Sequence, residues 1–256
     1  MVRVKICGMT RENDVKAAVD AGADAVGFVT EVPVDTDRSL SRGDAGRLVE
    51  YTPPYVTTVL VIMPDTLDEA VEMAEAAEPD VLQIHNDFDE IEELDHRTDA
   101  KLVVKKDPGD VAAPKGADAL IVDTPGKKGA GGTGETHDWE KSRRIVEESG
   151  RPVVLAGGLT PENVSDAVHK IDPYGVDVSS GVEKFEGIKH HGKVREFVEN
   201  AGRANINKKT NTVSEEGGLA ADNGSGDTGL DANNGSGEAG LDGGNGSSEA
   251  RYGRDT

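Results

Sequence analysis

Three groups of residues in this sequence are of types and spacings that do chemistry. The first is Cys7, the one cysteine of the chain, which ends the apolar run Val2–Cys7 with Lys5 two residues earlier. Side chains two apart in a strand share a face, so a strand here sets the Lys5 ammonium one layer below the thiol. A thiolate is a base or nucleophile, and a neighbouring cation favours it. A lone cysteine serves equally well as a small buried apolar residue. The second group is Asp123, which closes the run Ala119–Asp123, and Gln83-Ile84-His85, which ends another. A carboxylate at the end of an apolar strand is an acid or base, or else caps the following loop; His85 lines a pocket or caps its own strand end. The third group is glycine turns. Ala156-Gly157-Gly158-Leu159-Thr160 and Ser179-Ser180-Gly181-Val182-Glu183 each follow a strand-like run. Backbone N–H groups in such turns hold an anion without needing lysine. Gly129–Gly134, with Gly132 at its centre, suits close approach of backbone to a substrate. It is not a nucleotide P-loop, because Glu135-Thr136 follows where Lys-Ser/Thr is needed.

These groups need elements to position them. Strand-like runs fall at Val2–Cys7, Ala25–Val29, Thr57–Ile62, Val81–Ile84, Lys101–Lys105, Ala119–Asp123, Val153–Ala156 and Gly175–Ser179. Helical periodicity falls between most of them, at Glu12–Ala21, Asp44–Tyr51, Leu67–Ala77, Asp89–Asp95, Trp139–Ser149, Pro161–Lys170 and Lys193–Ala201. Thr10 and Thr160 are read as helix caps, and residues 106–117, rich in Pro and Gly, as a short or irregular element. Eight β-then-α units in about 200 residues predict an α/β fold closed as a (β/α)8 TIM barrel. A doubly wound open sheet is the structural competitor. In a barrel the strands' C-terminal ends and the loops after them hold the site, and all three groups lie there.

Composition narrows the partners. The formal charge is −21 and aromatic residues make up 4%. So acidic a chain repels nucleic-acid backbones and anionic membranes, and its carboxylates suit solvation in concentrated salt. One cysteine excludes an intramolecular disulfide and a multi-cysteine metal site. No apolar run approaches the roughly 20 residues of a membrane span, and the N-terminus reads as a strand rather than a signal peptide; the expected location is cytoplasmic. Two regions are predicted: a catalytic barrel over residues 1–203 and a low-complexity tail over 204–256. The tail is acidic and rich in Gly, Ser and Asn. From Gly218 it carries a degenerate 11-residue repeat with one leucine per unit, too little apolar surface to offset an ordering cost of roughly 1–2 kcal/mol per residue. It is therefore expected to be disordered.

Taken together, the motifs resemble the phosphoribosylanthranilate isomerase family of tryptophan biosynthesis. The residues that carry the resemblance are Lys5-Ile6-Cys7-Gly8-Met9-Thr10, Gln83-Ile84-His85, Val122-Asp123, Gly131-Gly132-Thr133-Gly134, Leu155 through Val164, and Val176 through Glu183. The resemblance implies an Amadori rearrangement of N-(5-phosphoribosyl)anthranilate. It implies that Asp123 is the general acid, protonating the furanose oxygen, and that Cys7 is the general base, taking the proton from C2. It implies substrate binding by Arg38, with Arg42 the alternative for the anthranilate carboxylate, and by His85, Gly132, Gly157, Gly158, Asp177, Ser179, Ser180 and Gly181. It implies a small phosphorylated substrate, no metal and no cofactor, with the chain a monomer or homodimer. The related histidine-pathway isomerase performs the same chemistry with two aspartates, and Cys7 argues against it. A Schiff-base aldolase built on Lys5 and a barrel that binds phosphate without catalysis are the other rivals.

Overall fold

The computed structural model describes residues 1–107, 110–123 and 139–216, with side chains described through Ala204 in the last helix. Eight parallel strands close on one another: β1 (Arg3–Ile6), β2 (Ala25–Thr30), β4 (Thr57–Ile62), β5 (Val81–Ile84), β6 (Lys101–Lys106), β7 (Ala119–Asp123), β8 (Val153–Ala156) and β9 (Gly175–Val178). Each pairs with the next, and β1 pairs with both β2 and β9, which closes the barrel and excludes the open sheet. The two-residue β3 (Ser39–Leu40) adds to the far end of β2. Helices α1 (Glu12–Ala21), α2 (Arg42–Tyr51), α3 (Leu67–Ala77), α4 (Ile91–Asp95), α5 (Trp139–Glu148), α6 (Val164–Ile171) and α7 (His191–Glu216) form the outer layer. No helix among the described residues is long and apolar enough to cross a membrane.

The period of two along each strand divides the protein into its layers. Val4, Ile6, Val26, Phe28, Leu60 and Ile62 point outward and join the main core under the helices. Cys7, Val59 and Val61 point inward and pack with Ala25, Val29 and Val81 inside the barrel. Strands covered on both sides this way read as continuous apolar runs, which is why the sequence locates them so closely. Three aspartates that immediately precede a strand seal the lower end. Asp24, Asp80 and Asp118 accept the backbone N–H of Val4, Thr58 and Leu102 at 2.9, 2.7 and 2.9 Å, each from the strand before.

The helix starts divide into those that composition announces and those it does not. Ser41 accepts from the N–H of Asp44, and Thr66 from that of Glu69, as the cap rules require. Thr10 is not a cap: its hydroxyl donates to the carbonyl of Gly187 at 2.6 Å, and Arg11 occupies the cap position of α1. Thr160 likewise stands further back than expected. Residues 161–163 form a turn, so α6 begins at Val164 rather than Pro161.

The final helix runs past residue 203, where the tail was expected to begin: α7 spans His191–Glu216. Val194, Phe197, Ala201 and Ala204 are all buried at spacings of three and four. One apolar stripe thus anchors the helix on both sides of the expected boundary. The Asn- and Lys-rich composition after Ala204 hid that continuation. The expectations for the repeats from Gly218 onward, and for Gly132, lie outside the described residues.

Candidate active site at the C-terminal mouth of the barrel

Lys5 and Asp177 are in register on adjacent strands. Both side chains face inward and are buried, and the Lys5 Nζ donates to Asp177 Oδ2 at 3.0 Å. One layer above, the Cys7 sulfur sits over β2. A Cβ placed on Gly27 would fall 2.8 Å from Cys7 Sγ and 3.1 Å from Lys5 Nζ, so thiol and ammonium share the space that Gly27 leaves by having no side chain. Burial works against the Lys5 charge, but the Asp177 carboxylate and the Cys7 sulfur outweigh it and hold the ammonium above the usual lysine range. Pairing with Asp177 favours the ammonium over the free amine that a Schiff base needs.

Burial pushes the Cys7 thiol up. Lys5 pulls it down, Asp177 pushes it up again, and Lys189 pulls it down more weakly; the balance stays above the ordinary thiol value. The resting group is therefore the thiol. The expectation that Lys5 favours the thiolate holds as a direction, yet burial wins. Replacing Lys5 by methionine is thus expected to move the thiol's titration to still higher pH. The check is the pH dependence of iodoacetamide alkylation, with Lys5→Arg restoring the profile. Because Lys5→Met strands the Asp177 charge, the double variant with Asp177→Asn serves as the folding control. A midpoint in Lys5→Met that stays put or falls refutes the coupling.

Asp123 closes β7, three strands round the barrel from Cys7, and lines the same cavity of about 880 Å³. Its Oδ2 lies 3.2 Å from His85 Nε2. Gln83, on the same inward face, places its Nε2 amide 3.4 Å from His85 Nδ1. With the amide donating, Nδ1 accepts, which leaves the ring proton on Nε2, facing Asp123. The two polar residues of Gln83-Ile84-His85 thus act as a chain that orients Asp123.

The intervening strands β8 and β9 end in the two glycine turns. Gly157 and Gly158 have positive φ, 86° and 65°, and Asn163 fixes their turn by accepting from Thr160 N at 2.8 Å and donating to the Gly158 carbonyl at 2.9 Å. Ser180–Val182 forms one 3-10 turn. The turns pack directly: a Cβ on Gly181 would fall 2.0 Å from the Leu159 carbonyl oxygen, a clash with backbone that no rotamer change relieves. Gly181→Ala is expected to cost about 1–3 kcal/mol, read as a lower midpoint in thermal melting, and to weaken phosphate binding. An unchanged melt and an unchanged KM together would mean that the turns do not depend on that approach.

Arg38 lies opposite, in the segment between β2 and β3. Its Nε and Nη2 donate to the two oxygens of Glu183 at 2.9 and 2.7 Å, and its Nη1 donates to Glu186 at 2.8 Å. Lys189, fully buried in its side chain, pairs with Glu183 from behind at 2.9 Å. Burial raises the Glu183 carboxyl, but Arg38 and Lys189 outweigh it and hold it below the usual range. Glu183 and Lys189 belong to a hairpin, β10 (Glu183–Phe185) and β11 (Ile188–Lys189), that the sequence reading missed. Its signal was Glu186-Gly187 between two short apolar-alternating runs. Arg42 does not reach the cavity; it starts α2 and pairs with Glu31 and Glu72. Of the expected site residues within the described chain, Cys7, Arg38, His85, Asp123, Gly157, Gly158, Asp177, Ser179, Ser180 and Gly181 all line one cavity.

A closed (β/α)8 barrel with a carboxylate, a thiol and two glycine turns lining one cavity at its C-terminal mouth has the architecture of the phosphate-binding barrel enzymes. The sequence profile of "N-(5'phosphoribosyl)anthranilate (PRA) isomerase" matches residues 4–200. The N-(5'-phosphoribosyl)anthranilate isomerase of Haloferax volcanii is 50% identical over 204 residues, covering 77% of this chain and 92% of that protein. The crystal structure of phosphoribosyl anthranilate isomerase from Thermotoga maritima is 32% identical with a TM-score of 0.68, covering 79% of this chain and all of that one. A structure of such an isomerase in complex with reduced 1-(o-carboxyphenylamino)-1-deoxyribulose 5-phosphate is 30% identical over the same shares, with a TM-score of 0.65. The chain belongs to the phosphoribosylanthranilate isomerase family.

Proposed function

We propose that this chain converts N-(5-phosphoribosyl)anthranilate to 1-(2-carboxyphenylamino)-1-deoxyribulose 5-phosphate, with Asp123 as acid and Cys7 as base. The observation that carries the reading is the order of groups round the mouth. Cys7, immediately after β1, and Asp123, at the end of β7, are separated by β8 and β9, whose turns form the anion cradle. A substrate with its phosphate in that cradle spans the two groups with its ribose and directs its aromatic acid towards Arg38.

Protonation of the furanose oxygen by Asp123 breaks the C1–O bond as the anilino nitrogen donates its lone pair, which leaves a C1=N iminium. Cys7, in its minority thiolate form, then takes the proton from C2 and becomes the thiol; the C2–H electrons form a C1=C2 bond and neutralise the nitrogen. The resulting enol tautomerises to the ketose. Each group serves one proton transfer, the kind of step for which a placed side chain typically contributes 10²–10⁴-fold. Asp177 Oδ1 is buried, lines the cavity and has no hydrogen-bond partner among the described residues, which supports a role in accepting a sugar hydroxyl. Protons are the only species moved, so the reaction as written needs no metal or cofactor.

The test is loss of anthranilate-type fluorescence when the purified chain meets phosphoribosylanthranilate generated in situ, in molar potassium chloride to suit its acidic surface. Turnover supports the reading. Folded protein that turns over only the aminoimidazole-carboxamide substrate of the histidine-pathway isomerase would replace it.

A further inference from the structure

The two carboxylates on Arg38 differ in kind. Glu183 is buried, with 6% of its side chain exposed, and is held from behind by Lys189. It grips the Nε–Nη2 edge of the guanidinium through two parallel bonds, a fork-to-fork geometry that fixes direction as well as charge. Glu186 stands on the other edge with 45% of its side chain exposed, lines the cavity, and has no lysine or second arginine among its described ion pairs. One of its oxygens, Oε1, receives both the Arg38 Nη1 at 2.8 Å and the Thr36 hydroxyl at 2.5 Å. Those two donors therefore converge on a single carboxylate oxygen at the cavity wall. Glu186 sits at the tip of the hairpin, next to Gly187 in left-handed backbone (φ 73°), and a Cβ on Gly187 would fall 2.7 Å from the Asp37 carbonyl. The tip is thus seated on the loop that carries Thr36 and Arg38.

We propose that Glu186 occupies, in the free protein, the place of the substrate's carboxylate. Glu183 is the fixed positioning residue that aims Arg38, and Glu186 is the displaceable one that yields its two donors, Arg38 Nη1 and Thr36 Oγ, when an aromatic acid enters. Glu186 then sets specificity: a ligand with a carboxylate replaces the bonds it breaks, and one without it leaves Glu186 in place. This inference rests on the reading of Arg38 as the carboxylate-binding residue. Its magnitude follows from the exposure of the pair. A half-exposed ion pair holds with about 0.2–1 kcal/mol, so freeing the site is worth about a 1.5- to 5-fold change in affinity.

The experiment compares Glu186→Gln, Arg38→Met and the double variant in steady-state kinetics, with anthranilate and ribose 5-phosphate as separate competitive probes. In Glu186→Gln, KM and the anthranilate inhibition constant are expected to fall by about 1.5- to 5-fold, while the ribose 5-phosphate constant stays put. In the Arg38→Met background the same change is expected to leave anthranilate binding unaltered. Arg38→Met alone is expected to raise KM. Parallel tightening of both probes in Glu186→Gln would reduce the effect to general charge repulsion and overturn the proposal. So would a KM that is unchanged or higher. If Arg38→Met leaves KM at the wild-type value, the reading of Arg38 fails and takes this inference with it; if Arg38→Met raises KM but Glu186→Gln does not lower it, the inference fails alone.

Discussion

Cys7→Ala is expected to lower kcat by about 10²–10⁴-fold, with little change in fold. The substitution removes one sulfur from a residue whose strand is held by other means: backbone pairing of β1 with β2 and β9, and Ile6 fully buried in the outer core. The Lys5–Asp177 pair one layer below persists, so the charge pattern of the barrel interior is kept. Circular dichroism and single-turnover kinetics with in situ substrate separate loss of chemistry from loss of structure. Turnover within a few-fold of wild type in a folded variant would mean that Cys7 is a buried apolar residue after all and that the base lies elsewhere in the cavity, with Asp177 the next group to test.

Asp123→Asn carries the second large effect, again about 10²–10⁴-fold in kcat. The amide keeps the size of the carboxylate and its oxygen still accepts from His85 Nε2, so the Gln83–His85–123 chain persists while the transferable proton is lost. KM is expected to move little, because the phosphate cradle on β8 and β9 and the Arg38 side of the cavity are untouched. A rise in KM with kcat preserved would assign Asp123 to binding. Preserved kcat in Asp123→Asn together with collapse in His85→Ala would move the acid to His85.

Much of this was legible before any coordinates. Eight strands and most helices are found within a few residues, because a strand covered on both faces must be almost wholly apolar and a helix on a barrel needs one apolar stripe. Cys7 and Asp123 were legible as strand-end residues, and the two glycine turns as part of the same mouth, because a barrel gathers the ends of its strands there. Less legible was anything set by side chains meeting from distant segments. Nothing near Thr10 in the sequence says that its hydroxyl is taken by Gly187 rather than by a helix start. Nothing near Arg38 says that Glu183 and Glu186, some 145 and 148 residues on, hold it from two sides. The short hairpin that carries them has too few residues for a clear period.

The sequence by itself determined the barrel and picked out the strand-end residues and glycine turns that line its cavity, since each follows from local pattern: period, turn chemistry and position along a strand. Tertiary structure alone decided the state of those groups. The register of β1 against β9 puts Asp177 on Lys5, and barrel closure buries the Cys7 thiol deeply enough that desolvation outweighs the cation beneath it. It also brought Arg38 and not Arg42 to the cavity, because only closure brings the loop after β2 under the hairpin after β9. Charge–charge and burial effects act through space over a few ångströms, and the sequence carries no record of which residues will share that space.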